Sequence, residues 1–304
     1  MNIVKFALPL VAGVVISATP GLAAPLLQQD LATFSVLGAS TVTNTGATTL
    51  TGDIGVSPGT AITGKETITV NGTNAGSDST FVHENDALAQ SAQGQFVTAS
   101  DNLRSLSPDA TLAADLAGLT LNPGVYNVLA GTTNLNGTLT LDGLGNANAA
   151  WVFLMESTLI TSPFSSVEVI NTGDGAGIFW DVASSATLDD GTSFQGNILS
   201  EVSISLNGAA TIECGRALAH TGAVTMINNT IGGACEYTTQ GDTYFGFNGG
   251  LDVTTEGGET TVGFLPFVPV DGGPTPISEP LTLLLFGMGF AGVLTSRKKL
   301  FSTR

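Results

Sequence analysis

The sequence predicts a mostly β chain: a β-solenoid of triangular cross-section accompanied by one long α-helix. Three observations predict it. The body is rich in Thr, Gly, Ser, Asn, Val and Ile, set in short alternating runs broken by Gly, Asn or Asp. After the helix these runs fall into three interleaved series, with a later period of roughly 17–20 residues. Only one segment, at about residues 84–105, carries a helical stripe.

The elements follow in chain order. Lys5, the apolar run from Phe6 to Ile16 and the small residues Gly21 and Ala23 read as a signal peptide over 1–24, cut by signal peptidase after Ala23 or Ala24. The run is too short for a membrane span, which needs about 20 apolar residues. The body covers 25–235. In its helix Leu88, Ala92, Phe96, Ala99 and Leu103 share one face, a packing stripe. His83, Glu84 and Asp86 stand near its start, where negative charge suits the helix dipole, and Gly94 weakens its middle.

The first series of strands is Trp151-Val-Phe-Leu-Met155, Ile178-Phe-Trp-Asp-Val182, Gly196-Asn-Ile-Leu-Ser200 and Gly215-Arg-Ala-Leu-Ala219. The second is Thr138-Leu-Thr-Leu-Asp142, Thr158-Leu-Ile-Thr161, Ala186-Thr-Leu-Asp189, Ser203-Ile-Ser-Leu-Asn207 and Val224-Thr-Met-Ile227. The third is Val167-Glu-Val-Ile170, Ser193-Phe-Gln-Gly196 and Ala210-Thr-Ile-Glu213. Three short strands per turn suit a triangular coil whose inward side chains stack on the next turn. Residues 236–276 form a Gly/Pro-rich extension and linker, with Tyr244-Phe-Gly-Phe247 and Val262-Gly-Phe-Leu-Pro-Phe267 as an extra strand pair.

Residues 277–304 combine Glu279-Pro280, an apolar Gly-containing run from Leu281 to Thr295, and the basic cluster opened by Arg297. That run is about 15 residues, or roughly 22 Å of helix, which suits a transient anchor with its cations on the cytoplasmic side. The tail resembles the PEP-CTERM sorting signal that an exosortase recognises, with Ser278 in place of the usual first Pro. The resemblance implies an exported protein, held briefly at the cell envelope.

Composition narrows the function. Over residues 25–280 three cations (Lys65, Arg104, Arg216) face 25 carboxylates, a net charge of −22. Nucleic acid is excluded as a partner, because binding it needs a basic surface to release counterions. Cys214 and Cys235, in an oxidising compartment, are expected to pair, closing a loop of about 20 residues worth on the order of 3 kcal/mol. With two distant histidines, His83 and His220, they offer no zinc spacing, and no metal or cofactor is expected. Arg216 and the pair Asp189-Asp190 read as turn or packing residues, so no enzyme activity is expected.

The body is similar to the ice-binding-like family (the DUF3494 domain). The resemblance rests on Thr51-Gly-Asp-Ile-Gly-Val-Ser-Pro-Gly59, Leu119-Thr-Leu-Asn-Pro-Gly-Val-Tyr126, Ala149-Ala-Trp-Val-Phe-Leu154, Phe194-Gln-Gly-Asn-Ile-Leu199 and Gly215-Arg-Ala-Leu-Ala-His-Thr-Gly-Ala-Val-Thr225, in family order. It implies that the solenoid is right-handed and discontinuous, with the helix packed alongside and the N-terminal coil segments preceding it.

Alternation in the second series points Leu139, Leu141, Leu188, Ile204, Leu206, Val224 and Met226 inward. It sends Thr140, Thr158, Thr187, Ser205 and Thr225 outward, as a ladder of hydroxyls about 4.8 Å apart. Such a ladder can order water or lie on a regular solid, unless the helix covers it. Thr60-Ala-Ile-Thr63 has the look of a motif found in some ice binders of the family. The implied function is adsorption to ice through a flat solenoid face. The alternative is an extracellular matrix or biofilm protein binding polysaccharide.

Overall fold

A strand that buries every second side chain still needs partners for its backbone groups on both edges. In this chain the partners come from parallel pairing of each repeat with the next. The computed structural model describes residues 24–232, 236–239 and 242–270, with side chains over 24–232 and 246–270. The leader up to residue 23, Cys235 and the tail with Glu279, Pro280 and Arg297 lie outside the described residues.

Strands at equivalent places in each repeat form three rows. The first row begins with Ala110–Leu112, Gly124–Val128, Ala150–Met155 and Gly177–Val182. It continues through 196–200 and 215–219, the second halves of Ser193–Ser200 and Thr211–Ala219. It ends with Phe34–Gly38, Asp53–Val56 and Val82–Glu84. The second row is a 6-stranded sheet of Leu159–Ile160, Ala186–Leu188, Ile204–Leu206, Val224–Ile227, Thr41–Thr45 and Ala61–Thr63. The third row starts with Thr120–Leu121, Thr138–Asn146 and Ser166–Thr172 and takes in 193–195 and 211–213. It continues through Thr230–Ile231, Thr48–Leu50 and Ile68–Val70, and the antiparallel strand Thr73–Asn74 closes its end. The two long strands merge the first and third rows into one 16-stranded sheet.

The N-terminal repeats therefore sit after the C-terminal ones. Val36 lies opposite Ala217 and Leu37 opposite Leu218, in parallel. One assignment from the sequence changes row. Thr138-Leu-Thr-Leu-Asp142 pairs with 166–170 in the third row, and Thr140 faces Glu168. In that repeat Leu135, bridged to Thr161, occupies the second-row place. The pattern Thr-Leu-Thr-Leu puts leucines inside and threonines outside in either row, so alternation settles the face but not the row.

The inward side chains form a continuous core running from Val36 to Ile231. Aromatic rings stack along it: Phe153 lies 3.9 Å from Trp180, which touches Phe194 at 4.9 Å. Both indole N–H groups are satisfied: Trp151 donates to Leu121 O at 3.1 Å and Trp180 to Gln195 O at 3.0 Å.

A short helix, α1 (Gln29–Thr33), precedes the first-row strand Phe34–Gly38. The long helix, α2 (Ala87–Arg104), starts later than its sequence pattern suggests. Val82–Glu84 is drawn into the first row, and Asp86 caps α2 by accepting from Ala89 N–H at 2.9 Å. The stripe behaves as read: Ala92, Phe96, Ala99 and Leu103 are fully buried, and Leu88 packs beside them. They meet outward residues of the first row, Leu37, Val152, Phe179, Leu199 and Leu218. Polar contacts fix the helix in register. Gln93 Nε2 donates to Gly38 O and Ala219 O, the ends of the two strands that join the halves. Asp181 accepts from Ser100 at 2.6 Å and from Arg104 at 2.7 Å. Arg216 is buried, donating to Ala32 O and to Asn197 Oδ1, as a packing residue would.

The extension holds two antiparallel hairpins, Glu236–Thr239 with Asp242–Phe245 and Leu251–Glu256 with Glu259–Phe264. Val262 thus pairs with Val253 within its own hairpin and not with the 244–247 segment. Among the described residues no helix is long and apolar enough to cross a membrane.

Two outcomes follow for α2. A Cβ at Gly94 would meet nothing within 4 Å. Gly94→Ala should therefore raise stability by about 0.5–1 kcal/mol in urea denaturation. The second concerns pH. Burial raises the Asp86 carboxyl, but the Ala89 N–H and His83 outweigh it and hold the group below its ordinary value. The unfolded state therefore binds this proton more tightly. The Asp86 contribution is complete above about pH 4 and is lost as pH falls through the lowered value. Asp86→Ala should cost about 1 kcal/mol at pH 7 and progressively less below about pH 4, read from denaturation midpoints across pH.

Candidate functional site

The second row carries the ladder. Its register runs Ile160, Thr187, Ser205, Thr225, Thr43, Thr63, each residue directly opposite the next. Their neighbours along each strand, Leu159, Leu188, Leu206, Val224, Met226, Val42 and Ile62, are buried. The column residues are half-buried or exposed. A parallel outward column lies two residues earlier on the same strands: Thr158, Ser185, Ser203, Ala223, Thr41 and Ala61.

The predicted residues distribute as follows. Thr187, Ser205, Thr225 and Thr63 share the central column. Thr158 stands in the adjacent column, because Ile160 is the residue opposite Thr187. Thr60 is exposed at the corner just before Ala61–Thr63. Thr140 is on the third row and is not a member. Thr43 was missed. Its alternating context, Thr41-Val-Thr-Asn44, was legible, but its place beside Thr225 was not.

Two properties set this surface apart. Neither column contains a charged residue. The hydroxyls of Thr187, Ser205, Thr225, Thr43 and Thr63 have no hydrogen-bond partner among the described residues, so they are open to water. In the adjacent column Ser203 Oγ accepts from Ala223 N–H at 3.1 Å, and Ser185 Oγ accepts from Ser203 N–H at 3.3 Å. Their own O–H groups remain available to donate.

The third row has a longer column of hydroxyls: Thr138, Ser166, Ser193, Thr211, Thr230, Thr49 and Thr69. Several of these are already engaged. Thr138 and Ser166 bond each other at 2.8 Å, and Ser193 donates to Glu213 at 3.1 Å. The exposed carboxylates Glu168 and Glu213 stand beside them. The first row is covered by α2. Of the three, the second row alone is uncharged across both outward columns and clear of the helix.

The corner between second and third rows keeps the surface in register. Phe164, Gly191, Ala209, Asn228 and Gly46 all have positive φ and follow one another repeat by repeat. The backbone N–H of each of the first four donates to a carbonyl in the next repeat, for example Ala209 to Ile227 O at 3.1 Å. A non-glycine residue there costs on the order of 1–2 kcal/mol. Buried amides offset it: Asn229 donates to Asn207 O at 2.9 Å and Ala210 O at 2.8 Å, and Thr48 donates to Asn44 Oδ1 at 2.7 Å.

Titratable groups elsewhere serve the scaffold. Asp189 accepts from the Asn207 amide, which holds it below the ordinary carboxylate range, and Asp190 accepts from Gly208 N–H. His83 lies between Asp53 and Asp86, and His220 pairs with Glu201 while stacking on Phe96. Among the described residues no group of three or more His, Cys, Asp or Glu side chains could hold a metal ion.

Residues 36–232 match the ice-binding-like family. The chain is 47% identical over 203 residues to an ice-binding protein of Nostoc sp. (strain HG1), covering 66% of this chain and 72% of that one. Its structure is similar to the crystal structure of an ice binding protein from an Antarctic biological consortium, with a TM-score of 0.61 and 38% identity, over 71% of this chain and 95% of that one. It is also similar to the ice-binding protein of the Antarctic ascomycete Antarctomyces psychrotrophicus, with a TM-score of 0.62 and 32% identity, over 72% of this chain and 100% of that one.

The corner is open to test through Asn229, which is buried. Asn229→Ala removes the Asn229 partner of the Ala210 carbonyl and of the Ile227 N–H, and should cost on the order of 3 kcal/mol in chemical denaturation. Asn228→Gly, at the neighbouring positive-φ position, should change stability by less than about 1 kcal/mol.

Proposed function

This chain belongs to the ice-binding-like family, and we propose that it is an exported protein that adsorbs to ice through the second row of strands. One observation carries the choice of surface: the central column presents open hydroxyls with no charge in either outward column. Parallel pairing spaces such residues about 4.8 Å apart along the column, and about 6.6 Å separates the two columns. A rigid grid of this kind holds water in repeating positions. Threonine methyls, Ala61, Ala223 and Ile160 add apolar contact between the hydroxyls. A carboxylate would retain its own hydration shell against the lattice, which disfavours the third row.

Several finer features belong to the same reading. The three rows wind as a right-handed β-solenoid of triangular cross-section, the hand that parallel β crossovers favour. Cys214, buried beside the extension, pairs with Cys235 after export. Signal peptidase removes the leader, and an exosortase-type enzyme handles the tail at the envelope. Adsorption needs no covalent chemistry, so the scaffold roles of Asp189, Asp190 and Arg216 are consistent with it.

Purified residues 24–270 should inhibit ice recrystallisation. Thr225→Tyr and Thr187→Tyr, placing rings in the central column, should abolish at least nine-tenths of that activity without lowering the melting temperature. Thr211→Tyr, on the third row, should retain it. Unaltered crystal growth with the parent protein would sink the proposal, and equal losses at Thr211 and Thr225 would sink the choice of surface.

A further inference from the structure

Both chain segments flanking the family match are fastened to each other. Ala24 N–H donates to Val253 O at 3.1 Å, and Val253 N–H donates back to Ala24 O at 2.9 Å. Leu27 N–H donates to Asn248 Oδ1 and Asn248 Nδ2 to Leu27 O, each at 3.2 Å. Asn248, Leu26 and Leu27 are buried. Ala24 thus extends the hairpin Leu251–Glu256/Glu259–Phe264 by one bridge on its open edge.

The small residues before this point allow cleavage after Ala23 or after Ala24. The two cuts differ physically. A chain beginning at Ala24 keeps both bonds to Val253. A chain beginning at Pro25 loses both, since Ala24 is gone and the Pro25 nitrogen lies one residue out of register.

We propose that the leader is cut between Ala23 and Ala24, and that the new α-ammonium of Ala24 docks on the Val253 carbonyl as a clasp between the two ends of the folded domain. Water adds its hydroxyl to the Ala23 carbonyl carbon and a proton to the Ala24 nitrogen as the C–N bond breaks, and the acid proton then passes to the amine, leaving a carboxylate and an ammonium. An ammonium donor strengthens the bond relative to the amide it replaces. The body's excess of carboxylates favours the positive charge. The inference rests on the export reading above.

The full chain, expressed with its leader in a bacterium that exports it, should yield a protein whose N-terminal sequence reads Ala-Pro-Leu-Leu. A start at Pro25 or beyond, or between the leader's start and Ala23, overturns the inference while leaving export intact. An uncleaved chain beginning at Met1 overturns both. Hydrogen exchange supplies the second test. The Val253 amide should exchange at least tenfold faster in a chain made to begin at Pro25 than in one beginning at Ala24. Equal rates would remove the clasp.

Discussion

The parallel pairing of Phe34–Gly38 with residues 215–219 is the contact on which the rest of the molecule depends. Most other parallel pairings join neighbouring repeats, so the loop that must close is short. This one joins strands from opposite ends of the domain and carries a larger closure cost. The chain meets that cost with α2. Its apolar stripe covers the outward side of the first row across the joint, and Gln93 binds a carbonyl on each side of it. Once Leu37 lies beside Leu218, the second row follows: Thr43 falls beside Thr225, and the ladder crosses the joint without a break.

Two rows of this protein display columns of hydroxyls, so a threonine ladder alone does not identify a binding surface. What separates them is where the hydroxyls spend their hydrogen bonds. On the third row Thr138, Ser166 and Ser193 bond to each other or to Glu213. On the second row the central hydroxyls have no partner among the described residues, and Ser185 and Ser203 in the adjacent column accept from backbone N–H groups. The corner between these rows maintains the difference. Its stacked positive-φ residues turn the chain in the same place in each repeat, and buried Asn229 keeps the turn satisfied.

The elements beyond the family match contact the helix side and the corner between the third and first rows. The hairpin at 251–264 packs through Leu251, Val253 and Val262 against the cluster that holds α2. The entering segment lies along it. A protein that must present one flat, solvent-open surface gains from placing its extra stabilising contacts elsewhere, since any cover over the second row would remove the surface itself.

Local patterns in the sequence determined which residues face inward and outward, where the one long helix lies and which of its faces packs. These rest on periods of two and 3.6 residues, which are properties of single strands and helices. They were enough to point Thr187, Ser205 and Thr225 outward, whereas Thr63 was singled out by its likeness to a family motif. The tertiary structure decided which strand joins which row. It moved Thr140 to the third row, placed Ile160 ahead of Thr158 in the central column and inserted Thr43. No local period encodes those placements, because a Thr-Leu-Thr-Leu run buries its leucines equally well in any row. Only the register between repeats, and the long-range joint that α2 stabilises, distinguishes them.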